Sequence, residues 1–333
     1  MMRLTFALAV ALAMSGCTEA PGAPETLQAW NTLDGSAPLV IAHRGASGLR
    51  PEHSRLAYEL AIEQGADVIE PDLHVSADGV LIVRHDPYLS TSTDIAERAE
   101  FADRRVERFG RTDWWIVDFT AEELTTLNTR QVMEDRSDEY DDRSPVLTFP
   151  QFLEFIEEEE AKCECTIAIE PEIKQPAAYV ALDLDPLPIL LETLAAHDLN
   201  RADAGVTVQS FDPVFLRRLN EASEVPLAML YSGPDEEGGN AGGLTLAQIA
   251  GFADAVGPYK GVLFTGDGAS TGYLEAAHAE GLAVHTWTVR DDRAPIVGET
   301  VQDELRALYT LGVDGVFTDF PATAEEVRVG MEE

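Results

Sequence analysis

From residue 38 onward, short aliphatic and β-branched runs alternate with longer stretches whose apolar positions recur every three or four residues. That alternation is the pattern of a parallel sheet with crossover helices. It predicts strands at 38–42 (PLVIA), 68–73, 166–173, 205–209, 226–231, 261–264, 283–289 and 315–318. A helix is predicted over 51–64, with Leu56, Leu60 and Ile62 among its apolar positions. One further run, 80–84 (VLIVR), follows the second strand after Ser76-Ala77-Asp78-Gly79. Asp-Gly is a hairpin signal, and so short a link cannot make a parallel crossover. This run is therefore antiparallel and stands outside the main count. Eight parallel strands remain, and the fold class is an α/β TIM (β/α)8 barrel with an extra hairpin strand after strand 2.

Residues 87–145 interrupt the pattern. They are charged at 96–111 and 134–143, with one apolar patch at 114–117 and a capping box at Thr120 and Glu123 that starts a helix over 120–127. An insertion of this length near a barrel mouth predicts a lid or substrate wall. The glycine-rich stretch 233–243 lacks Gly-Lys-Ser/Thr and is read as a loop. No internal repeat is found.

The chain opens with Arg3, an apolar run over 4–14 and Ser15-Gly16-Cys17. The run is too short for a stable membrane span and reads as an export signal, 1–16. Ser-Gly-Cys resembles a lipobox, so Cys17 is the expected lipidation site, although Met14 stands where leucine is usual. The expectation is an exported periplasmic or cell-surface lipoprotein that touches the membrane only through Cys17, with soluble secretion as the alternative. Residues 17–36 read as a flexible tether, and 37–330 as the catalytic domain.

Composition narrows the partners. The 333 residues carry 23 Lys+Arg against 60 Asp+Glu, a formal net charge of −37. Nucleic acid would meet a repulsive field, and no basic stripe offsets it. Apolar content of 45% excludes a disordered chain. The acidity suits a salty habitat and equally a lineage with acidic surfaces. Three cysteines cannot staple a chain of this length. Cys163 and Cys165, two apart, make a strained disulfide and a poor zinc site, so buried thiols at a strand start are expected.

The chemistry gathers at the carboxyl ends of the strands: His43-Arg44-Gly45, Glu70-Pro71-Asp72, His85-Asp86, Glu170-Pro171-Glu172-Ile173-Lys174, Gln209-Ser210-Phe211, Thr286-Trp287-Thr288 and Thr318-Asp319. In a barrel those ends converge on one mouth. Residues two apart on a strand share a face, which pairs Glu70 with Asp72 and Glu172 with Lys174. Three acids in a narrow mouth repel one another unless a cation sits among them, and oxygen ligands suit Ca²⁺ or Mg²⁺. The competing reading is an ion-pair network in which Arg44 and Lys174 neutralise the acids.

His43 and His85 form a candidate acid/base pair. Arg44 and Lys174 supply fixed charge for a phosphate. Phe211 and Trp287 are candidates for an apolar substrate wall. His53 is expected to support the mouth, His74 to lie past its strand's end, His285 to be a satisfied interior group, and His197 and His278 to be on the surface.

These residues fall in blocks that resemble the glycerophosphodiester phosphodiesterase family: HRGASGLRPEHS (43–54), GADVIEPDL (65–73), DGVLIVRHDP (78–87), PEIK (171–174), QSFDP (209–213), VHTWTVR (284–290) and LGVDGVFTDFP (311–321). Within the insertion, STDIAER (92–98) and VDFTAEEL (117–124) are similar to the exported, lid-bearing members. Ser54 replaces a common threonine. The resemblance implies His43 and His85 as acid/base groups and Glu70, Asp72 and Glu172 as ligands of one divalent cation, Ca²⁺ ahead of Mg²⁺. It implies Arg44 and Lys174 on the phosphate, and Glu52 against Arg44 or a substrate hydroxyl. It places Phe211 and Trp287 against the alcohol. The implied reaction is hydrolysis of small glycerophosphodiesters, deacylated phospholipids such as glycerophosphocholine, to sn-glycerol 3-phosphate and an alcohol. The alternatives are a phospholipase C/D-like enzyme on intact lipid and a non-catalytic surface-binding lipoprotein.

Overall fold

The structure is a computed structural model, and it describes residues 30–233 and 243–332. The export signal, Cys17 and most of the tether lie outside the described residues, as does most of the glycine-rich stretch.

The strands, in chain order, are β1 (Leu39–His43), β2 (Val68–Glu70), β3 (Asp72–Val75), β4 (Leu81–Val83), β5 (Val106–Arg108), β6 (Arg111–Asp113), β7 (Ala168–Ile169), β8 (Glu172–Ile173), β9 (Val208–Ser210), β10 (Leu227–Tyr231), β11 (Ala255–Pro258), β12 (Ala283–Val289) and β13 (Gly315–Thr318). Prolines split two of the expected strands. Pro71 separates β2 from β3, and Pro171 separates β7 from β8. A proline has no N–H to give the ladder. Its carbonyl still accepts, so Glu172 N–H donates to Pro71 O at 2.9 Å and Gln209 N–H to Pro171 O at 2.9 Å. Each split pair therefore acts as one barrel staff. With that, the hydrogen-bonded order runs β1, β2/β3, β7/β8, β9, β10, β11, β12, β13 and back to β1, all parallel. The (β/α)8 barrel closes, and β4 hangs antiparallel on β3 as the hairpin signal predicts.

One expected strand is misplaced. The sixth staff is β11, Ala255–Pro258, whereas 261–264 begins in a 3-10 turn, Lys260–Val262. Gly257 and Pro258 read as breakers, but Pro258 sits at the strand's last position, where a missing donor costs little.

Helices cover the outside. Arg55–Glu63 starts later than expected, because Ser54 caps it by accepting from Ala57 N–H, leaving Pro51–His53 as a turn at the mouth. Phe149–Cys163 has a capping box from Thr148 and Gln151 and buries Phe149, Phe152, Leu153 and Ile156, a stripe at helical spacing. Its last residue corrects the cysteine expectation. Glu164 takes a left-handed conformation that turns the chain back, and Cys163 and Cys165 are disulfide-bonded and exposed.

The insertion packs a core of its own. Leu89, Ile95, Phe101, Trp114, Ile116, Phe119, Leu124 and Leu127 are buried together with Ile82 beneath them. Thr120 and Glu123 form the expected capping box, but the helix is one turn, Ala121–Leu124. β5 and β6 form a hairpin that the charged sequence there concealed.

Candidate active site

The barrel mouth holds a cavity of about 250 Å³ whose walls include His43, Arg44, Glu70, His85, Glu172 and Lys174. They come from the ends of four strands, with His43 and Arg44 at β1, Glu70 at β2, His85 at β4, and Glu172 and Lys174 at β8. His43 ends β1, and its register partner Glu70 ends β2. Asp72 opens β3 opposite Glu172, which opens β8. His85 follows β4, and Lys174 follows β8.

Glu70, Asp72 and Glu172 each bring a carboxylate oxygen within 4.8 Å of the others, and all three are buried. Burial and then the charge of Asp72 push Glu70 well above the usual carboxylate range. Burial, and Asp72 against the pull of Lys174, push Glu172 up to about 7. Asp72 is held well below its usual range despite burial, by Lys174, Arg44 and the hydrogen bond from His53. Three crowded oxygens with two acids reluctant to ionise are what a hard divalent cation relieves. Gln209 adds a buried Oε1 without a partner among the described residues, while its Nε2 lies 3.5 Å from Glu70. The donor set fits Ca²⁺ or Mg²⁺.

The two cations also pair with these acids. Arg44 donates from Nη1 to Glu52 at 2.6 Å and places Nε 3.1 Å from Asp72. Lys174 Nζ lies 3.0 Å from Glu172 and 3.4 Å from Asp72. Both expected arrangements thus coexist: the acids cluster as a metal site would, and Arg44 and Lys174 bridge them. Asp72 and Glu52 stand behind the cavity wall. Glu52 pairs with Arg44, the first of its two expected partners.

Each histidine at the mouth is held by a carboxylate. His43 Nδ1 is 2.7 Å from Asp319, and His85 Nδ1 is 2.9 Å from Asp86. A carboxylate on Nδ1 fixes the Nδ1–H tautomer, leaving Nε2 for substrate. Burial, then the neighbouring Arg44, lower His43 to about 4 against the pull of Asp319. Asp319 is itself held far below its usual range against burial, by His43, Arg290 and Arg136. Arg290 Nε donates to it at 2.7 Å, and Arg136, from the insertion, at 2.6 Å.

The sequence assigns no role to Asp319 or Asp86 and does not single out Arg136 or Arg290. Asp319 and Asp86 do stand at strand ends beside capable residues, which was the available signal. Arg136 lies in a charged stretch that gives none.

The remaining histidines are structural. His53 donates to Asp72 at 2.9 Å and is fully buried, the support expected of it. His74 is not past its strand but buried within β3, donating from Nε2 to the His85 carbonyl at 2.8 Å. His285 pairs with Glu170 inside the barrel at 3.0 Å. His197 and His278 pair with Glu157 and Asp314 at the periphery. Trp287 and Phe211 meet edge to face at 5.9 Å in the cavity wall.

The profile of the glycerophosphoryl diester phosphodiesterase family matches residues 43–323. The chain belongs to this family. A glycerophosphodiester phosphodiesterase of Haemophilus influenzae is 28% identical to it over 369 aligned positions, covering 99% of each chain. Glycerophosphodiester phosphodiesterase GDPD6 of Arabidopsis thaliana is 30% identical, covering 86% of this chain and 85% of that one. Among solved structures, an Oleispira antarctica phosphodiesterase in complex with the product sn-glycerol-3-phosphate superposes with a TM-score of 0.64 at 21% identity, over 89% of this chain and 98% of that one. A glycerophosphodiester phosphodiesterase from Agrobacterium tumefaciens gives 0.57 at 21%, over 87% and 99%. At that identity the structures establish the shared fold. The family match and the curated relatives make the chain an enzyme, a glycerophosphodiester phosphodiesterase.

Proposed function

We propose that this family member hydrolyses small glycerophosphodiesters to sn-glycerol 3-phosphate and an alcohol, with His43 as base and His85 as acid over a divalent-cation site. The observation that carries this reading is one cavity walled by two carboxylate-held imidazoles, an arginine, a lysine and two acids of the Glu70–Asp72–Glu172 cluster.

Glu70, Asp72 and Glu172 would hold the cation, with Ca²⁺ preferred for a flexible all-oxygen set. Bound there, it would neutralise charge on the non-bridging phosphate oxygens. Arg44 and Lys174 line the same cavity, so their fixed charge is presented to the phosphate while Glu52 and Glu172 keep them ordered. His43 is neutral, and its Nδ1–H is committed to Asp319, so Nε2 accepts the proton of the attacking oxygen, either water itself or the neighbouring glycerol hydroxyl followed by water. His85 acts as the imidazolium, with Nδ1–H held by Asp86, and gives its Nε2 proton to the leaving oxygen. Each then returns to its starting state by exchanging one proton. Trp287, anchored through Nε1 to Gly257 O at 2.7 Å, and Phe211 supply an aromatic surface for a quaternary ammonium or other alcohol group.

The first residues of the chain support export and lipidation at Cys17, which mass spectrometry of the mature N-terminus from the native host would test. The activity itself is tested by release of sn-glycerol 3-phosphate from glycerophosphocholine, with intact phosphatidylcholine in parallel. The reading expects turnover of the first and not the second. Turnover of intact lipid alone, or of neither, overturns it.

A further inference from the structure

Behind the wall of the catalytic cavity lies a charged side chain that takes no part in proton transfer or phosphate contact. Arg84 follows β4, and its N–H continues the ladder by donating to the Asp72 carbonyl at 2.9 Å. Strand alternation gives it the same face as Ile82, which packs into the core of the insertion. The side chain is 0% exposed and among the largest that are fully buried. Nε, Nη1 and Nη2 all lack a hydrogen-bond partner among the described residues. The one ion pair of Arg84 there is with Glu52, whose Oε1 stands 3.8 Å from Nη2, beyond hydrogen-bond reach. A guanidinium held out of water with its side-chain donors idle destabilises the folded chain. A methionine or leucine would fill the place without that penalty.

Glu52 stands between this charge and the phosphate end of the site. Its Oε2 accepts from Arg44 Nη1 at 2.6 Å, and Arg44 lines the cavity. One carboxylate thus faces two guanidinium groups, gripped by Arg44 and at arm's length from Arg84. Burial works to raise Glu52, yet Arg44, His53 and Arg84 hold it down to about 2, so it is ionised beside either arginine. A shift of about 1 Å brings Oε1 within hydrogen-bond distance of Arg84. A phosphate arriving at Arg44 competes with Glu52 for the same guanidinium. Glu52 displaced without a new partner would be a buried carboxylate stripped of its counter-ion, and that would oppose binding.

We propose that Arg84 is a positioning residue that receives Glu52 when the substrate phosphate takes Arg44. The inference rests on the reading above in which Arg44 meets the phosphate, and it adds a residue that never touches substrate. In the free protein Glu52 keeps Arg44 ordered, and Arg84 has no hydrogen-bonded anion. With phosphate bound, each guanidinium has an anion of its own. The handover breaks and forms hydrogen bonds only. A charge that destabilises the free protein is thereby neutralised in the complex, and the difference favours phosphate binding.

The test is a double-mutant cycle of Arg84→Met and Glu52→Gln in the full chain with excess Ca²⁺. It reads the calorimetric Kd of sn-glycerol 3-phosphate, KM and kcat on glycerophosphocholine, and the ligand-free melting temperature. Arg84→Met should weaken product binding and raise KM at least about tenfold, as loss of a charge-assisted hydrogen bond does, with kcat within about threefold. Its melting temperature should not fall, because an unsatisfied buried charge has been removed. In the Glu52→Gln background the same substitution should change product binding by less than about twofold, since no carboxylate remains to be received. Should Arg84→Met not fold, Arg84→Lys runs the same cycle, with a smaller loss of about threefold that again disappears beside Glu52→Gln. A loss that persists in that background shows Arg84 attracting the phosphate through space and overturns the inference. Unchanged product affinity, with or without a fall in melting temperature, marks a packing role and overturns it too. Either result leaves the phosphodiesterase reading standing as long as the native protein turns over glycerophosphocholine. A native protein that neither binds the product nor turns over the substrate removes both.

Discussion

Nδ1 of His43 lies 2.7 Å from Oδ1 of Asp319, a hydrogen bond that spans 276 residues and joins the first barrel strand to the last. Asp319 is buried, and Arg136 and Arg290 share its other oxygen. It therefore stays ionised and keeps the Nδ1 proton of His43 in place, which directs the Nε2 lone pair into the cavity. Asp319→Asn keeps the shape but lets the imidazole reverse its tautomer. A loss of about 100-fold to 10,000-fold in kcat/KM on glycerophosphocholine is expected, by analogy with other carboxylate-oriented histidines. Steady-state kinetics with a parallel melting curve would check it.

Arg136 gives the insertion a direct part in the site. Besides Asp319 it bonds Asp292 at 2.7 Å and the Ser47 carbonyl at 3.1 Å, and the Ser47 hydroxyl in turn donates to the His43 carbonyl. Arg136→Gln removes charge-assisted bonds and frees the insertion's edge. A fall of about 10-fold to 100-fold in kcat/KM is expected, from one or two such bonds. Arg201→Gln, an exposed arginine on the far side, serves as the control and should change nothing. Equal effects from both substitutions would count against a positioning role.

The acid cluster makes metal affinity and stability depend on pH in a stated direction. Glu172, raised to about 7 in the folded metal-free protein, contributes stability that is present below its unfolded value of 4.5 and lost as pH rises through about 7. A bound cation removes that loss. The melting temperature with excess Ca²⁺ should exceed that in EDTA by a gap that widens from pH 4.5 to pH 7. Glu172→Gln should flatten the widening. A gap independent of pH would contradict the clustered-acid account.

A buried neutral histidine works in the opposite sense. Burial lowers His74 from 6.5 to about 3, and it bridges the Tyr179 hydroxyl and the His85 carbonyl. Its contribution is present above pH 6.5 and lost as pH falls through about 3. His74→Gln should reduce the proton uptake on unfolding between pH 6.5 and 3 by about one. Denaturant melts across that range would show it as a shallower acid slope.

Much of the barrel could be read from the sequence, because apolar alternation and the recurrence of polar strand ends both follow from parallel staffs converging on one mouth. His43, Glu70, Asp72, His85, Glu172 and Lys174 came from that logic. The structure brings together the acids and lines the two histidines on one cavity. What escaped is long-range or locally contradictory. Asp319 is visible at a strand end, but nothing local shows which imidazole it meets 276 residues away. The sixth strand hid behind Gly257 and Pro258. The β5–β6 hairpin hid in a charged stretch with Phe109 where a turn residue belongs. Cys163 and Cys165 are joined because Glu164 reverses the chain, a backbone choice that composition does not record.

The most direct measurement is turnover of glycerophosphocholine by the chelated, metal-stripped protein, followed by titration with Ca²⁺ and, separately, Mg²⁺. Glu70, Asp72 and Glu172 closing around one cation predicts activity reduced to background and restored by substoichiometric-to-equimolar addition. Undiminished turnover in the stripped protein would contradict it.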